Sequence, residues 1–210
     1  MIVYKLTDKN LRAHGGFQWK IGERVSASGT GPLCTDGWLH AYEHPLLAVL
    51  HNPIHANYSP CRLFRARGTG KILRDGMLTL GCKHMVLVKE ISVPEITITQ
   101  RVTYGILCAR AVVPETNTVW HLWADNWLSG KDRSARTADT VAIEGWAAAE
   151  KETRETNTVV MAELAAAEMA AQAAAGAPEW AAAAVEWATR ATKTAPLDLL
   201  KIAEEAMKIK

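Results

Sequence analysis

The sequence predicts an α+β fold, in which a small mixed or antiparallel β-sheet domain precedes an alanine-rich antiparallel helical bundle. Two observations predict it. Short runs with β-type alternation, together with six of the seven histidines, lie before about residue 115. Alanine-rich segments with almost no strand formers in sequence follow them. We therefore predict a β-rich domain over residues 1–113 and an alanine- and tryptophan-rich helical region over residues 114–210.

The strands of the first domain are predicted from alternation and from turn residues. Residues 17–25 place apolar and polar side chains alternately, which is the period of a half-buried strand, and glycine-rich turns flank them. Residues 97–111 fit either a long strand or an early helix, because periodicity alone does not distinguish the two. Further strands are predicted over residues 2–6, 38–42, 62–70 and 85–93.

The segment from Cys34 to His55 is the densest in chemically active side chains, and it contains four histidines. A strand over residues 38–42 runs through Pro45 into a short helix over residues 46–50. Pro45 suits the first helical position, because its fixed φ matches the helix and its missing N–H is not needed there. Asn52-Pro53 is predicted to end the helix, since the residue before a proline avoids the α region.

The second domain is predicted to be helical. Its first helix is recognised by a stripe of tryptophans on one face, a capping residue and a terminal glycine, which are Trp120, Trp123 and Trp127, Asn117 or Thr118, and Gly130.

A longer helix is predicted over residues 134–175, and prolines at positions 178 and 196 open two more. The short connections imply antiparallel neighbours. Glu115–Val119 and Glu155–Val159 are both ETNTV. Duplication of a helical hairpin would explain this recurrence, and so would coincidence or shared capping chemistry.

Charge and hydropathy narrow the classes of protein to consider. The net charge of +2 gives no strong electrostatic case for nucleic acid, which we do not expect as a partner. No window approaches the eighteen apolar residues of a membrane span, and the N-terminus lacks the pattern of a signal peptide. We therefore predict a cytoplasmic protein with no membrane association. Its four widely spaced cysteines are expected to be free.

Residues 1 to about 100 carry an ordered set of short motifs. They are Gly16-Phe17-Gln18-Trp19 with Gly22, then Cys34-x-x-Gly37-Trp38, His40-Ala41 and Pro45, then Arg62 to Ile72 with Gly68 and Gly70, and Leu87 to Pro94. This order resembles an uncharacterised family of small proteins encoded by phages and prophages. The alanine-rich helical part resembles an extension found on some members. The resemblance implies a phage setting, with the host cytoplasm as the location, and it carries no established activity.

A metal site is the first chemical hypothesis for the histidine-rich segment. His40-x3-His44 and His51-x3-His55 have spacings that occur among zinc ligands, and Cys34 would be a further donor. Four positions along a strand, however, span about 13 Å, which is too far for one zinc ion. We therefore predict partly buried or surface histidines, with no metal ligands and no cofactor.

Two catalytic hypotheses concern the same segment. A nucleophile at Cys34 or Ser59 would need a histidine base and an orienting acid, and no recognised catalytic loop surrounds either residue. We therefore prefer a buried structural thiol at Cys34.

The alternative is ADP-ribosyl transfer. A basic residue on or after the first strand (Lys5 or Arg12), a strand entering a helix, and Glu90 or Glu95 at an acidic strand end echo the plan of that fold. The specific Ser-Thr-Ser and paired-Glu motifs are missing, so this is an analogy of fold alone. We assign no catalytic residue.

A ligand-binding surface is better supported by the residues. Arg65 and Arg67 share one face of their predicted strand, and arginine side chains suit phosphate or carboxylate groups. Aromatic residues from other strands would complete a pocket for a small anionic ligand such as a nucleotide, although a solvated sheet face is the simpler alternative. The candidate ligand-binding residues are Trp19, Trp38, His40, Tyr42, Arg65 and Arg67.

The helical region is expected to self-associate, because Trp146, Trp180 and Trp187 add large apolar faces to thin alanine-rich helices. The leading hypothesis for function is a phage-encoded, non-catalytic accessory protein. It would bind a host component or a small nucleotide-like ligand and so counter a host defence. One alternative is a transferase or hydrolase, ADP-ribosyltransferase-like or other, with its site at residues 34–55. Another is a phage structural or assembly protein that oligomerises through its helices.

Overall fold

The structure is a computed structural model that describes residues 1–152, 158–192 and 196–209, with the backbone alone described for residues 145–152. The chain forms two compact units, Met1–Glu95 and Ile96–Lys210. The first is a β-sheet unit and the second is helical, so the predicted α+β class is confirmed. The division falls ahead of residues 98–110, whereas the sequence placed it after them.

The N-terminal unit is an antiparallel sheet with one helix. Its strands are β1 (Ile2–Asp8), β2 (Arg24–Ser26), β3 (Leu39–Ala41), β4 (Cys61–Asp75) and β5 (Thr79–Ile91), and its helix is α1 (Pro45–His55). The two long strands form a central hairpin that turns at Gly76, whose φ of 52° lies in the left-handed region. β4 pairs with β1, and the far edge of β5 pairs with both β3 and β2.

A single residue pair closes this sheet on itself. Tyr4 of β1 donates its N–H to the carbonyl of Tyr42 at 2.8 Å, and Tyr42 returns the bond at 2.9 Å. Tyr42 follows β3 directly, so the chain of pairings β1–β4–β5–β3 returns to β1. The inside of the closed sheet is the core of the unit, built from Val3, Trp19, Ala41, Phe64, Ala66, Leu80, Cys82, Met85 and Leu87.

The prediction of a continuous strand over residues 17–25 is wrong. Only β2 is a strand, while Gln18 and Ile21 make single bridges to other segments. Gly22 interrupts the extended run, because its φ of 81° belongs to the left-handed region. As a result the apolar residues of the run do not share one environment: Trp19 is buried, whereas Phe17 and Ile21 are exposed.

The prediction that Asn52-Pro53 ends the first helix is also wrong, because α1 extends to His55 with Pro53 inside its last turn. Asn52 itself holds the helix end. Its carbonyl accepts bonds from the N–H groups of Ala56 and Asn57, and its side chain pairs with the backbone of Tyr58 in both directions at 3.1 Å. Pro45 does occupy the start of the helix, as predicted.

The second unit contains six described helices. They are α2 (Ile98–Arg110), α3 (Thr118–Leu128), α4 (Ala135–Glu152), α5 (Thr158–Ala175), α6 (Trp180–Ala191) and α7 (Leu199–Ala206). The segment that fitted strand or helix is therefore helical, and a capping box between Thr97 and Gln100 starts it. α2 packs against α3, α5, α6 and α7 and so forms the centre of the unit.

The tryptophan stripe of α3 is confirmed as core: Trp120, Trp123 and Trp127 are all buried, Asn117 caps the helix, and Gly130 follows with a φ of 78°. The single long helix predicted over residues 134–175 is wrong, since α4 and α5 are separate helices that pack against each other. This packing buries the small alanine face of α5, which a lone helix would leave in water.

Two sequence features fall outside what is described. Residues 155–157 of the second ETNTV segment lie outside the described residues, and so does the side chain of Trp146. Within the described part of the chain, no helix combines the length and the apolar character that crossing a bilayer requires.

The close approach of α2 and α6 at Gly105 generates a prediction. A Cβ added at Gly105 of α2 would lie 3.0 Å from the Cα of Ala181 in α6, so Gly105→Val forces the two helices apart. We expect a loss of about 1–3 kcal/mol in the free energy of unfolding, as for other overpacked cores, measured by urea unfolding followed by circular dichroism.

The control is Ala111→Val, which places a valine at an exposed position just after α2. It should change the midpoint little. Equal stability of Gly105→Val and the control would contradict the close packing of α2 against α6.

Candidate functional site

A cavity of about 540 Å³ lies within the N-terminal unit. Its walls come from β1, from the loop between β1 and β2, from the segment that leads through β3, and from the end of α1. Four of the six candidate ligand-binding residues line it, namely Trp19, Trp38, His40 and Tyr42. The structure thus brings together aromatic residues that lie as far as 23 positions apart in the sequence.

Lys5 supplies a cation to this cavity. It follows Val3 on the inward side of β1 and is half-buried, and its ammonium donates a hydrogen bond of 2.8 Å to the carbonyl of His40. The same nitrogen lies 5.8 Å from the centre of the Trp19 ring. Burial lowers the pKa of Lys5 to about 8, against a weaker opposing effect of Cys82. Lys5 is therefore still mostly protonated at pH 7. We call this space the Lys5 cavity.

Trp19 is held in the cavity wall by a folded loop. Its N–H donates to the carbonyl of Leu11 at 2.8 Å, and the side-chain amide of Gln18 donates to the carbonyl of Asn10 at 2.9 Å. The indole N–H of Trp19 is buried and has no acceptor within the residues that the structure describes. A buried donor without an acceptor is costly.

The segment around Gly37 forms the opposite wall, and its motif residues hold the backbone. A Cβ at Gly37 would lie 2.0 Å from the carbonyl oxygen of Thr30, so only glycine fits there. The indole of Trp38 donates to the carbonyl of Gly31 at 3.0 Å. The Nε2 atom of His40 lies at hydrogen-bonding distance from the carbonyl of Leu33. Sequence motifs in this segment therefore shape the cavity wall.

His40 is neutral at physiological pH. Burial is the main cause that lowers its pKa, and the nearby charges of Lys5 and His14 lower it further. The hydrogen bond to Leu33 and the carboxylate of Asp36 oppose the shift. Lys5, His14 and Asp36 thus all influence the pKa of His40, and all three line the cavity. Asp36 is its one acidic lining residue among those described.

Tyr42 contacts two histidines of α1, the exposed His55 and the buried His51. Its hydroxyl and the Nδ1 atom of His55 share a hydrogen bond of 3.0 Å, and the two rings stack at 5.9 Å. His51 lies beside both rings, fully buried, with Nδ1 at 3.1 Å from the carbonyl of Leu78. Burial lowers the pKa of His51 to about 3 and raises that of Tyr42, so both groups are neutral at pH 7.

The four histidines of the central segment take separate roles. His44 caps α1 by accepting the N–H of Leu46 at 3.2 Å, while His51 binds a backbone carbonyl and His55 binds Tyr42. Across the described residues, no three His, Cys, Asp or Glu side chains converge on a position for a metal ion.

Arg65 and Arg67 do not line the Lys5 cavity. They alternate along β4 with the buried residues Phe64 and Ala66, and they are exposed on the other face of the strand. Arg65 and Arg67 do share one face of their strand, as predicted, but the aromatic candidates lie on the inner side of the closed sheet. The cation at the cavity is Lys5 instead.

The residues of the catalytic hypotheses are divided between the cavity and the surface. Cys34 lines the Lys5 cavity, as does His40, and it is exposed, so the prediction of a buried thiol there is wrong. The carboxylate of Glu43 forms an ion pair with Arg74 at 2.6 Å, and that of Glu90 pairs with Arg62 at 2.5 Å. Neither carboxylate lines the cavity.

Sequence reasoning did not select Lys5, His14, His55 and Tyr58 as ligand-binding residues, although all four line the cavity. A signal for Lys5 was present: it is the one charged residue in the apolar run Ile2–Leu6 and stands two positions from Val3, on the same side. No comparable local signal marks His55 or Tyr58, which arrive through the course of α1 and the loop after it.

Comparison with known proteins adds one match. Residues 1–99 match the model of a family described as "Domain of unknown function (DUF7666)". The match covers the whole N-terminal unit, so the residues that line the Lys5 cavity lie within the matched segment. No curated protein and no solved structure matches the chain.

The position of Lys5 predicts its titration. With ¹³C-labelled lysine, the resonance of Lys5 should titrate near pH 8, well below the ordinary value of 10.5, because burial disfavours the ammonium. The Lys5→Arg variant should lose that resonance and so assign it. A Lys5 that titrates at or above 10.5 would contradict its placement in the cavity.

The lowered pKa of Lys5 also makes the stability of the protein depend on pH in a definite direction. Between pH 8 and 10.5 the unfolded chain still binds the proton that the folded chain has lost, so Lys5 makes the free energy of unfolding rise with pH. The stability of Lys5→Met relative to the natural protein should therefore fall across this window. A difference in stability between Lys5→Met and the natural protein that stays constant across this window would contradict the lowered pKa.

Proposed function

We propose that the N-terminal unit is a non-catalytic binding module whose Lys5 cavity takes a small anionic ligand of the nucleotide class. The observation that carries this proposal is the ammonium of Lys5 inside an aromatic-walled cavity. Lys5 has one hydrogen-bonding partner in the described residues, the carbonyl of His40. Two of its three donors are left for a ligand anion.

The form of the cavity supports a ligand of this size and kind. Its volume of about 540 Å³ is within the usual range for small-molecule sites. Phe17 and Trp19 meet edge to face with their ring centres 5.5 Å apart, and Phe17 is exposed at the cavity. Tyr42 and His55 present a second stacked pair. A planar base can pack against such rings while its phosphate pairs with Lys5.

The partners of the acidic residues support a binding role over a catalytic one. Catalysis by Cys34 or by a histidine would need an orienting carboxylate near the base. Glu43 and Glu90 are occupied by Arg74 and Arg62. Asp36 lies at the cavity but makes no hydrogen bond to His40, whose Nε2 atom is instead at hydrogen-bonding distance from the carbonyl of Leu33. Transferase or hydrolase activity at residues 34–55 remains the alternative, and the experiment below separates it by looking for turnover.

The biological setting of the proposal comes from the resemblance of the motifs. On that basis the protein is a phage-encoded accessory protein of the host cytoplasm. It withholds a small nucleotide-like signal, or binds a host component, and so counters a host defence. Self-association through the helical unit stays a prediction. It is supported by Trp180, whose side chain is 43% exposed, and by the exposed Val119 and Leu122 of α3. An assembly role would use the same helices.

Ligand binding is tested on the full chain by calorimetric titration with AMP, GMP, UMP, NAD and ADP-ribose. At least one should bind, and Lys5→Met should weaken it about 10- to 100-fold, the effect of losing a charge-assisted hydrogen bond. Lys9→Met is the matched control. The double variant Arg65→Ser/Arg67→Ser should bind normally, because neither arginine lines the cavity.

Three results would contradict the proposal. Failure of every probe to bind would remove the ligand class. Equal binding by Lys5→Met and the natural protein would remove the anion site. Conversion of a bound probe to product, detected by chromatography, would favour the catalytic alternative.

A further inference from the structure

The positive charge of the chain is concentrated in its first unit. Residues 1–95 contain twelve Lys and Arg against seven Asp and Glu, whereas residues 96–210 contain twelve against fifteen. The net charge of +2 is therefore the sum of a positive charge on the N-terminal unit and a smaller negative charge on the helical unit. The overall charge gave no reason to expect a polyanionic partner, but its distribution does.

The pairing of the strands places several of these cations on one face of the sheet. Arg65 of β4 stands opposite Lys89 of β5, and in the next row Arg67 pairs across Val86 with Arg24 of β2. Residues that are directly opposite share a face, so these cations project from the same side. His84 lies one row further, opposite Thr69. We define the basic face as Arg24, Arg65, Arg67, His84 and Lys89.

The cations of the basic face have no anionic partner. Arg24, Arg65, Arg67 and Lys89 are exposed, and none makes a side-chain hydrogen bond or ion pair with any residue that the structure describes. No Asp or Glu stands in either of their rows.

Other basic residues of the unit behave differently. Arg62 pairs with Glu90, Arg74 with Glu43 and Lys20 with Glu23. The unit thus has enough acidic residues to pair part of its basic set, and the basic face is the part left unpaired.

The pKa of His84, at the edge of the basic face, responds to the positive charges around it. Nδ1 of His84 forms a hydrogen bond of 2.8 Å with the hydroxyl of Ser26. Partial burial is the main cause that lowers its pKa, and the charges of Arg24 and Lys83 lower it further. No carboxylate opposes these effects among the causes of the shift.

We propose that the basic face binds the phosphate backbone of a nucleic acid. Arg65 and Arg67 are about 7 Å apart along their strand, and adjacent strands are about 5 Å apart, so the four cations form a compact two-row array. A nucleic acid strand carries one phosphate per 3.4 Å of its axis and can place several on such an array together. Guanidinium groups bind phosphate oxygens in pairs.

The four cations surround Val86, which lies between Arg67 and Arg24, and cations of this kind contact phosphates rather than base edges. Binding is therefore independent of sequence and is governed by counterion release. An acidic protein would supply the same charge sign, but its carboxylates are not held at the close, regular spacing of a phosphate chain. None of the five residues of the basic face lines the Lys5 cavity, so this site is separate from the proposed ligand site.

The test is fluorescence anisotropy of the full chain with a labelled single-stranded 20-nucleotide DNA, titrated at several salt concentrations. The triple variant Arg65→Ser/Arg67→Ser/Lys89→Ser should bind at least about tenfold more weakly at 50 mM salt. Its plot of log affinity against log salt should be shallower by about 2, since three phosphate contacts are lost. Circular dichroism checks that the variant is folded.

The matched control is Lys20→Ser/Arg62→Ser/Arg74→Ser, which removes the same charge from residues that already have carboxylate partners. It should bind within about threefold of the natural protein, because these cations are already neutralised locally. Lys5→Met should bind DNA normally even if it abolishes nucleotide binding, which keeps the two proposals distinguishable.

The proposal is overturned if the natural protein does not bind DNA at 50 mM salt. It is also overturned if the control loses as much affinity as the triple variant, since net charge alone would then account for binding. Displacement of the DNA by polyglutamate at equal charge concentration would point to an acidic protein as the partner instead.

Discussion

The reciprocal backbone bonds between Tyr4 and Tyr42 are the constraint on which the N-terminal unit depends. Without them β1 would be an exposed edge strand, with unpaired N–H and C=O groups along one side. With them the sheet turns back on itself and gains an inside. Lys5, the next residue along β1, is then held at a cavity instead of in solvent, and its ammonium bonds to the carbonyl of His40, two residues before Tyr42. The closing of the sheet therefore also places the ammonium of Lys5 at the cavity.

The motifs of the unit contain side chains typical of chemical sites, but in the structure these residues hold the backbone in place. Gln18 ties its loop to Asn10, Gly37 allows the close approach of Thr30, and Trp38 binds Gly31. Each holds a loop that forms a cavity wall. The ligand-facing chemistry is left to a few groups, above all the ammonium of Lys5. The motifs are therefore the means by which the site is built.

Local patterns predicted the elements well where the local signal was strong. The α+β class, the tryptophan face of α3 and its cap at Asn117 followed from periodicity and capping chemistry. The strand over residues 17–25 failed because alternation continues through Gly22, where the backbone turns. The long helix over residues 134–175 failed because alanine-rich sequence has high helix propensity throughout, so propensity alone gives no reason to divide it into α4 and α5.

The composition of the site was harder to predict than its existence. Leu63 and Phe64 are both apolar and both buried, so alternation near the start of β4 does not show which side faces inward. Local alternation therefore does not show whether Arg65 and Arg67 share the side of the aromatic residues. Which face is inside is decided by the pairing of Tyr4 with Tyr42, which are 38 positions apart and bonded through the backbone. A contact of that kind leaves no mark in the local sequence.

Amide hydrogen exchange at Tyr4 and Tyr42, followed by NMR on the full chain, tests the closed sheet most directly. Both amides should be protected to the same degree as those of Phe64 and Ala66 on the central strand β4, because all would open only when the sheet unfolds. Exchange of the Tyr4 and Tyr42 amides at the rate of exposed loop residues, with β4 still protected, would show that the sheet is open. An open sheet would remove the enclosure of Lys5 and, with it, the basis for a ligand site in this unit.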